Sequence, residues 1–435
     1  MLMSSNSLAN FPDNVLENIF TQVPKEQILD LTLVCSRFNE VISNSLVVLR
    51  NVKFNWDSRK VAPTRKYSRV NFIDSIATPQ FQKFIQDRPT TFAMMGFDDC
   101  AFTRSKLYEI LSSVAANLKE LSFDRLRLMG RYDMPLIEMP NLELFKIIDN
   151  VQNKTNPDFW SFLFASLVTP NLKSLIYSVR SPEMLPEEAT AFTQFMSAQS
   201  KLGAFTLSSN ATKALVNHSG TFLFKASRIN LDLTSPDGPV ANDFVQSLVK
   251  FLETQKNSLT HLTLKSCVID SAVAERVLSL PVLKDLQLFQ GSLLHDRKIE
   301  AVNQSLKRIK FSFVDLVNEP STGDNKQAIA NVLECCKAIE SLDFGRVPIN
   351  DETWKVLAGM KTLRKIKFDA STIKAVQLPS VEELVIVNCD KKNVVDLIGA
   401  NQQLKTVVVD RTYEFDEQFL AVSNGLKSLS ISFKN

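Results

Sequence analysis

Three histidines (His218, His261, His295) and six cysteines are the side chains in this 435-residue sequence with the chemistry of a general base, a metal ligand or a thiolate. Their spacing does not favour catalysis. The histidines lie far apart in the chain, and no two cysteines form a Cys-x-x-Cys pair. The sequence has no Gly-x-x-x-x-Gly-Lys, Gly-x-Gly-x-x-Gly, His-Glu-x-x-His or Gly-x-Ser-x-Gly. A reaction would need a nucleophile–base pair, a metal cluster or a phosphate cradle. The expectation is a non-catalytic protein with no cofactor and no metal. A basic stretch, "RKVAPTRKYSR" over residues 59–69, carries Arg59, Lys60, Arg65, Lys66 and Arg69 without an acid. Basic residues beside an aromatic (Tyr67) suit a phosphate or nucleic-acid patch. Pro63 and the position of the stretch favour a solvated connecting loop instead.

The elements that would position any binding residue follow from length and composition. With 45% hydrophobic residues the chain can bury a large core. A net charge of +3 is small for this length and indicates neither a nucleic-acid nor a membrane partner. It is uneven: residues 1–45 hold five acids and two bases, a balance of −3, which leaves +6 for the remainder. No run approaches the roughly 18 apolar residues of a membrane span. "MLMSSNSLAN" lacks the basic and apolar blocks of a secretory signal. The expected compartment is the reducing cytoplasm and/or nucleus, so the sequons at Asn153, Asn210, Asn217 and Asn303 read as chance.

Residues 11–42, "FPDNVLENIFTQVPKEQILDLTLVCSRFNEVI", differ from everything after them. Val15, Leu16, Ile19, Phe20 and Val23 share one helical face. Pro12 suits a helix start, and Pro24 ends that helix and can open a second carrying Ile28, Leu31 and Leu33. Val34, Cys35, Phe38, Val41 and Ile42 supply a third apolar face. Three helices in about 35 residues lack the interior volume to hide all of these side chains. The leftover apolar surface must meet the next domain, as an N-terminal cap on repeats would, or another polypeptide.

The pattern resembles the F-box, whose usual form runs Leu-Pro-x-Glu-Val-Leu-x-x-Ile-Phe-x-x-Leu-Pro, then an acidic residue, paired leucines and Leu-Val-Cys-x-x-Trp/Phe. Pro12, Val15, Leu16, Ile19, Phe20, Pro24, Leu29, Leu33, Val34, Cys35, Arg37 and Phe38 fall in register. Phe11, Asn14, Val23 and Gln27 stand where Leu, Glu, Leu and Asp are commoner, so Asn14 and Gln27 each remove a charge. The resemblance covers a tenth of the chain. It implies docking on a Skp-type adaptor and, through it, on a cullin–RING ligase core. The implied adaptor-binding set is Phe11, Pro12, Val15, Leu16, Ile19, Phe20, Pro24, Ile28, Leu29, Val34, Cys35 and Phe38.

From residue 67 onward an apolar pattern recurs at positions 1, 4 and 6. Clear units begin at Phe92, Leu118, Leu142, Leu172, Leu202, Leu259, Leu283, Leu306, Ile339, Leu363, Val381, Leu404 and Leu426. Arg228 starts a unit with a polar first position, and Tyr67 a weaker early one. The spacing is mostly 22–30 residues, the range of leucine-rich repeats. The period-two tails predict strands, and runs such as Leu107, Ile110, Leu111, Val114 or Phe244, Leu248, Phe251, Leu252 predict helices between them. Ile329, Val332, Leu333 and Cys336 repeat the helical pattern. Position 9 holds Cys100, Asn150, Asn210, Cys267 and Cys389, where a small polar side chain satisfies backbone groups as the chain leaves a strand.

The expected fold is therefore α/β: an N-terminal three-helix F-box (residues 8–48), a connecting segment with an irregular first repeat (49–75), and a curved leucine-rich-repeat solenoid (76–435) with a parallel inner sheet and outer helices. Strand positions 3 and 5 should face outward from the core. His261, Asp285, Phe289, Arg308, Lys310, Asp343, Lys365 and Lys367 are then candidate target-binding residues. The Arg308, Lys310, Lys365 and Lys367 set suggests a basic zone for an acidic or phosphorylated segment, interrupted by Asp343; the plainer expectation is a mixed soluble face. Together these features predict the substrate-recognition subunit of a Skp–cullin–F-box E3 ubiquitin ligase, with an unidentified protein target. The alternative is a leucine-rich-repeat protein-binding scaffold without a ligase role.

Overall fold

The computed structural model describes residues 8–434 apart from 51, 64, 66, 89–90, 131–133, 150–158, 180–183, 235–241, 267, 291, 294–296, 313–327, 348, 370–372 and 411–429. The chain divides into two compact units, one of residues 1–203 and 219–224, the other of residues 204–218 and 225–435. Each is described by itself.

The first unit opens with the helix Asp13–Phe20, whose start is set by Pro12 and whose first turn carries Asp13, the sign of charge that suits a helix N-terminus. Helices Ser36–Asn44 and Leu46–Leu49 follow, capped by Cys35, whose Sγ accepts from Phe38 N, and by Ser45, whose Oγ accepts from Val48 N. The helix expected after Pro24 does not form. Its place is taken by turns and a 3₁₀ segment, Asp30–Leu33, held by three-residue hydrogen bonds such as Gln27 N to Pro24 O and Thr32 N to Leu29 O. Only ten residues separate Pro24 from the Cys35 cap, too short a stretch for helical nucleation to repay its cost without tertiary packing.

Six strands of this unit pair in parallel in chain order: Lys53–Trp56, Arg69–Ile73, Met94–Asp98, Glu120–Asp124, Leu144–Asp149 and Ser174–Val179. The first was not legible as a repeat. It lies where Asn51 replaces the apolar first position, and Trp56 anchors it by burial.

The second unit pairs ten strands in the same way, from Ala204–Leu207 and Arg228–Asp232 through His261–Lys265, Asp285–Phe289, Arg308–Ser312, Ser341–Phe344, Lys365–Asp369 and Glu383–Val387 to Thr406–Asp410 and Ser430–Lys434. Two unit starts are corrected by this register. Ile229 pairs with Leu262, so the unit read from Arg228 begins at the buried Ala226. Ile431 pairs with Val407, which places the last strand two residues later than the start at Leu426 implies. Both slips are by two, which preserves the face each side chain occupies and so leaves no mark in the apolar alternation.

Helices alternate with the strands wherever the sequence periodicity asks for them. Leu107, Ile110, Leu111 and Val114 are the buried face of Arg104–Val114; Leu248, Phe251 and Leu252 are buried on Asn242–Thr254; Ile329, Val332 and Leu333 are buried on Ala328–Glu334. Thr78, Thr103, Asp270, Asn350 and Asp390 each cap a helix by accepting a backbone N–H three residues on. Position 6 stacks aromatics from repeat to repeat: Phe72, Phe97 and Phe123 have centroids 5.4 and 5.6 Å apart, and Phe311, Phe344 and Phe368 have centroids 5.7 and 5.9 Å apart.

Six of the strand exits share one geometry. At position 8, Asp74, Asp99, Arg125, Ser266, Gln290 and Asn388 have φ between 47° and 57°. Five of their N–H groups, all but that of Asn388, bond to the carbonyl at the end of the next strand, for instance Gln290 N to Ser312 O at 2.9 Å. At position 9, Cys100 Sγ lies 3.3 Å from Phe72 O and Cys389 Sγ lies 3.3 Å from Val387 O. Asn210 instead sits inside the helix Ser209–Val216, and Asn150 and Cys267 lie outside the described residues.

Buried amides before the strand were not anticipated. Asn303 donates to Leu278 O and Leu280 O and accepts from Ser305 N and Leu306 N. Asn401 donates to Val376 O and Leu397 O and accepts from Leu378 N. Gln255 accepts from Ala226 N. Each sews a loop to the neighbouring repeat.

Replacing Asn303 by Leu takes the side-chain partner from Leu278 O, Ser305 N and Leu306 N, while Leu280 O keeps Leu283 N, and should lower unfolding stability by about 2–4 kcal/mol in a denaturant titration. Glu188 gives a second expectation. It is buried against Tyr177, whose hydroxyl donates to Oε1 at 2.7 Å, and burial raises its pKa above the ordinary glutamate value. A carboxyl raised on folding stabilises below its unfolded pKa and loses that contribution as pH rises through the folded one. Glu188→Gln should therefore raise the melting temperature at pH 7.5, and the gain should vanish below about pH 4.

Candidate functional site

The expected adaptor-binding set splits by burial. Leu16, Phe20, Ile28 and Phe38 are interior, with Phe20 and Phe38 in edge-to-face contact at 5.0 Å. These four are corrected from surface contacts to the core that holds the helices together. A helical unit this small must spend its largest side chains on itself before it has any to display. Val15, Leu29 and Cys35 are half-buried; Phe11, Pro12, Ile19, Pro24 and Val34 are exposed.

Exposure of apolar side chains is concentrated there. Leu33 is 85% exposed, Val34 64%, Phe11 45% and Ile19 39%. Leu33 was missed in the contact set. Its signal was the run Leu31, Leu33, Val34, which one face of a tight 3₁₀ turn cannot bury. Arg37 pairs with Asp13 and, at 3.5 Å, with Glu40, fixing the helix Ser36–Asn44 against the first helix behind this face.

The basic stretch over residues 59–69 is largely consumed by structure. Arg59 pairs with Asp57 at 2.8 Å and with Asp74; Arg69 forms a two-pronged pair with Glu120 at 2.8 and 2.7 Å. Arg65 donates to Asn39 Oδ1 at 2.9 Å and to Ser43 Oγ at 3.0 Å, tying the helix Ser36–Asn44 to the connection between the strands Lys53–Trp56 and Arg69–Ile73. Lys66 lies outside the described residues.

Apart from Phe289, the candidate target-binding residues occupy two rows of the sheet of the second unit, and Asp285 is corrected from a contact residue to a buried one, covered by the bases beside it. His261, Asp285, Arg308, Ser341, Lys365 and Glu383 form one row across six strands; Thr263, Gln287, Lys310, Asp343, Lys367 and Val385 form the next. Opposite charges meet between strands. His261 Nε2 lies 2.7 Å from Asp285 Oδ2, and Arg308 Nη2 donates to the same oxygen at 2.7 Å. Lys365 reaches Glu383 at 2.6 Å, and Lys367 holds both oxygens of Asp343 at 3.0 and 2.9 Å. Lys310 is 4.0 Å from Asp343 and sits over the Phe289 ring at 5.0 Å. The suggested basic zone is therefore compensated: four bases face Asp285, Asp343 and Glu383, a balance of +1 before His261. The acidic or phosphorylated ligand that an uncompensated zone would favour loses its basis, and a mixed face remains.

Among the described residues, catalytic groups do not gather. Nδ1 of His261 lies 2.8 Å from Thr260 Oγ1, but that hydroxyl also donates to Ser227 O at 2.9 Å. Burial pushes the Cys100 and Cys336 thiols up to about 12, which suits packing and not nucleophilic attack. His295 lies outside the described residues. Among the described residues no group of three His, Cys, Asp or Glu side chains is placed to hold a metal ion.

Comparison with known proteins bears on the N-terminal surface. Residues 8–49 match the F-box domain family. No curated protein matches the sequence. Among solved structures, a chain described as the crystal structure of a TLR13–ssRNA13 complex is similar at 14% identity and a TM-score of 0.48; the match covers 88% of this chain and 56% of that one.

The compensated rows give a direct expectation. Wild-type protein should elute from a heparin column at low salt. The double variant D285N/D343N unmasks Arg308, Lys310 and Lys367 and should be retained to clearly higher salt.

Proposed function

We propose that this chain is the substrate-recognition subunit of a Skp–cullin–F-box E3 ubiquitin ligase. The F-box docks the Skp-type adaptor, and the repeats, read as leucine-rich repeats over residues 76–435, bind the target protein. The observation that carries this reading is the coincidence of an F-box match with four solvent-facing apolar side chains, Phe11, Ile19, Leu33 and Val34, within that same domain. A monomeric surface seldom keeps such a set without a partner. The docking set is Phe11, Pro12, Val15, Ile19, Pro24, Leu29, Leu33, Val34 and Cys35, supported from beneath by Leu16, Phe20, Ile28 and Phe38.

In this role the chain performs no bond chemistry. It raises the effective concentration of a target beside the ubiquitin carrier, in the cytoplasm or nucleus. Arg65 contributes by hydrogen-bonding the F-box helix to the connection between the first two strands, which limits swing between the docking face and the first repeats.

The test is capture of adaptor and cullin by the full-length chain and by the variant L33D/V34D. Both residues face solvent, so the melting temperature should not change. Loss of two apolar anchors should cost about 3 kcal/mol, roughly a hundredfold in affinity. Equal capture by the variant would reject the ligase reading and leave the repeat-based scaffold.

A further inference from the structure

We propose that a cleft between the F-box helices and the first strand of the sheet binds an extended acidic peptide carrying an apolar side chain, supplied by a partner protein. The cleft lies wholly within the first unit and has a volume of about 840 Å³. That falls in the range of ligand pockets, about 300–1,000 Å³.

Three independent features select the ligand. The first is an apolar lining with an accessible member. Ile28, Val48 and Val52 are buried, whereas Val47 points into the cleft and is 52% exposed, a contact point for one apolar side chain.

The second is charge. Lys25, Arg50, Lys53 and Arg69 line the cleft against Glu26 alone, a balance of +3, or +2 when the Arg69 partner Glu120 is counted. Arg69 is committed to Glu120, and Lys25 lies 3.8 Å from Glu26. Arg50 and Lys53 are exposed and make no ion pair among the described residues. Of the bases in residues 59–69 other than Arg69, Arg59 has a carboxylate partner and Arg65 a side-chain amide partner.

The third is backbone. Lys53–Trp56 is hydrogen-bonded to Arg69–Ile73 on one side, and among the described residues of this unit no strand pairs with its other edge, which meets the cleft at Lys53. An open edge accepts an extended chain through main-chain hydrogen bonds, and alternate side chains of the guest then fall toward the host surface. An acidic residue opposite Lys53 and Arg50, with an apolar residue toward Val47, fits that alternation.

Single-stranded nucleic acid would share the charge preference but needs exposed rings for its bases to stack on. Phe20 is the one aromatic in the lining and is buried, and nearby Phe54 and Tyr67 are stacked on each other at 4.4 Å. The peptide is therefore the better match.

This proposal does not rest on the ligase reading, and the two fail separately: adaptor capture is read on L33D/V34D, peptide binding on Arg50 and Lys53. The probe is a fluorescein-labelled heptapeptide, Glu-Val-Glu-Leu-Glu-Val-Glu, titrated with the full-length chain by anisotropy. Controls are the same peptide with lysine for every glutamate, and one with N-methylated alternate amides. The acidic peptide should bind saturably, and R50E/K53E should weaken it about tenfold or more with an unchanged melting temperature. V47D should also weaken it. The N-methylated peptide should bind less tightly, and the lysine peptide should not bind. No saturable binding of the acidic peptide, equal binding by R50E/K53E, or equal binding of the lysine peptide would overturn the proposal. Saturable binding of an oligo-dT strand, lost in R50E/K53E and tighter than that of the acidic peptide, would also overturn it and assign the cleft to nucleic acid.

Discussion

The whole chain depends on one constraint: a strand–helix unit of 22–30 residues cannot bury its own apolar face, and its neighbour must do so. Leucines at positions 1 and 4 and large side chains at position 6 meet the corresponding residues of the next repeat, and the parallel hydrogen bonds hold that meeting in register. The position-6 phenylalanine stacks make the constraint visible, because each ring packs on the ring one strand away. The F-box obeys the opposite rule. It has too little volume to close on itself, and Leu33 and Val34 remain outside with no later repeat covering them.

Electrostatics follows from the same stacking. Side chains at one repeat position stand beside those at the same position in the next strand, so charges along the chain become charge pairs across the sheet. Asp285 serves His261 and Arg308 together, Asp343 serves Lys367, and Glu383 serves Lys365. A cluster that looks basic when residues are collected by strand is nearly neutral when they are collected by row. Lys53 escapes this compensation because its strand is the first of its sheet and has a neighbour on one side only, and Arg50 because it caps the helix Leu46–Leu49 and stands off the sheet.

Much of this was legible from spacing. Period two against period 3.6 located strands and helices, and the position-9 cysteines Cys100 and Cys389 sit beside strand-exit carbonyls as their spacing implied. The parts that were not legible share physical causes. The register slips at Arg228 and Leu426 are even-numbered and invisible to a pattern of alternation. The strand Lys53–Trp56 lacks an apolar first residue. Asn303, Asn401 and Gln255 are ordinary polar residues in sequence, and their role appears only when a neighbouring loop brings its carbonyls or N–H to them. In the F-box, sequence spacing identified the apolar residues but not which of them face outward. That sorting is decided by the 3₁₀ turn that replaced an expected helix.

The central claim is that the solvent-facing apolar side chains at the N-terminus exist to be covered by a second polypeptide. Amide hydrogen–deuterium exchange of the full-length chain, with and without a Skp-type adaptor, reads this directly. The account predicts slowed exchange confined to peptides spanning the helix Asp13–Phe20 and the turn at Asp30–Leu33, with the repeat strands unchanged. An exchange pattern unaltered by saturating adaptor would contradict it.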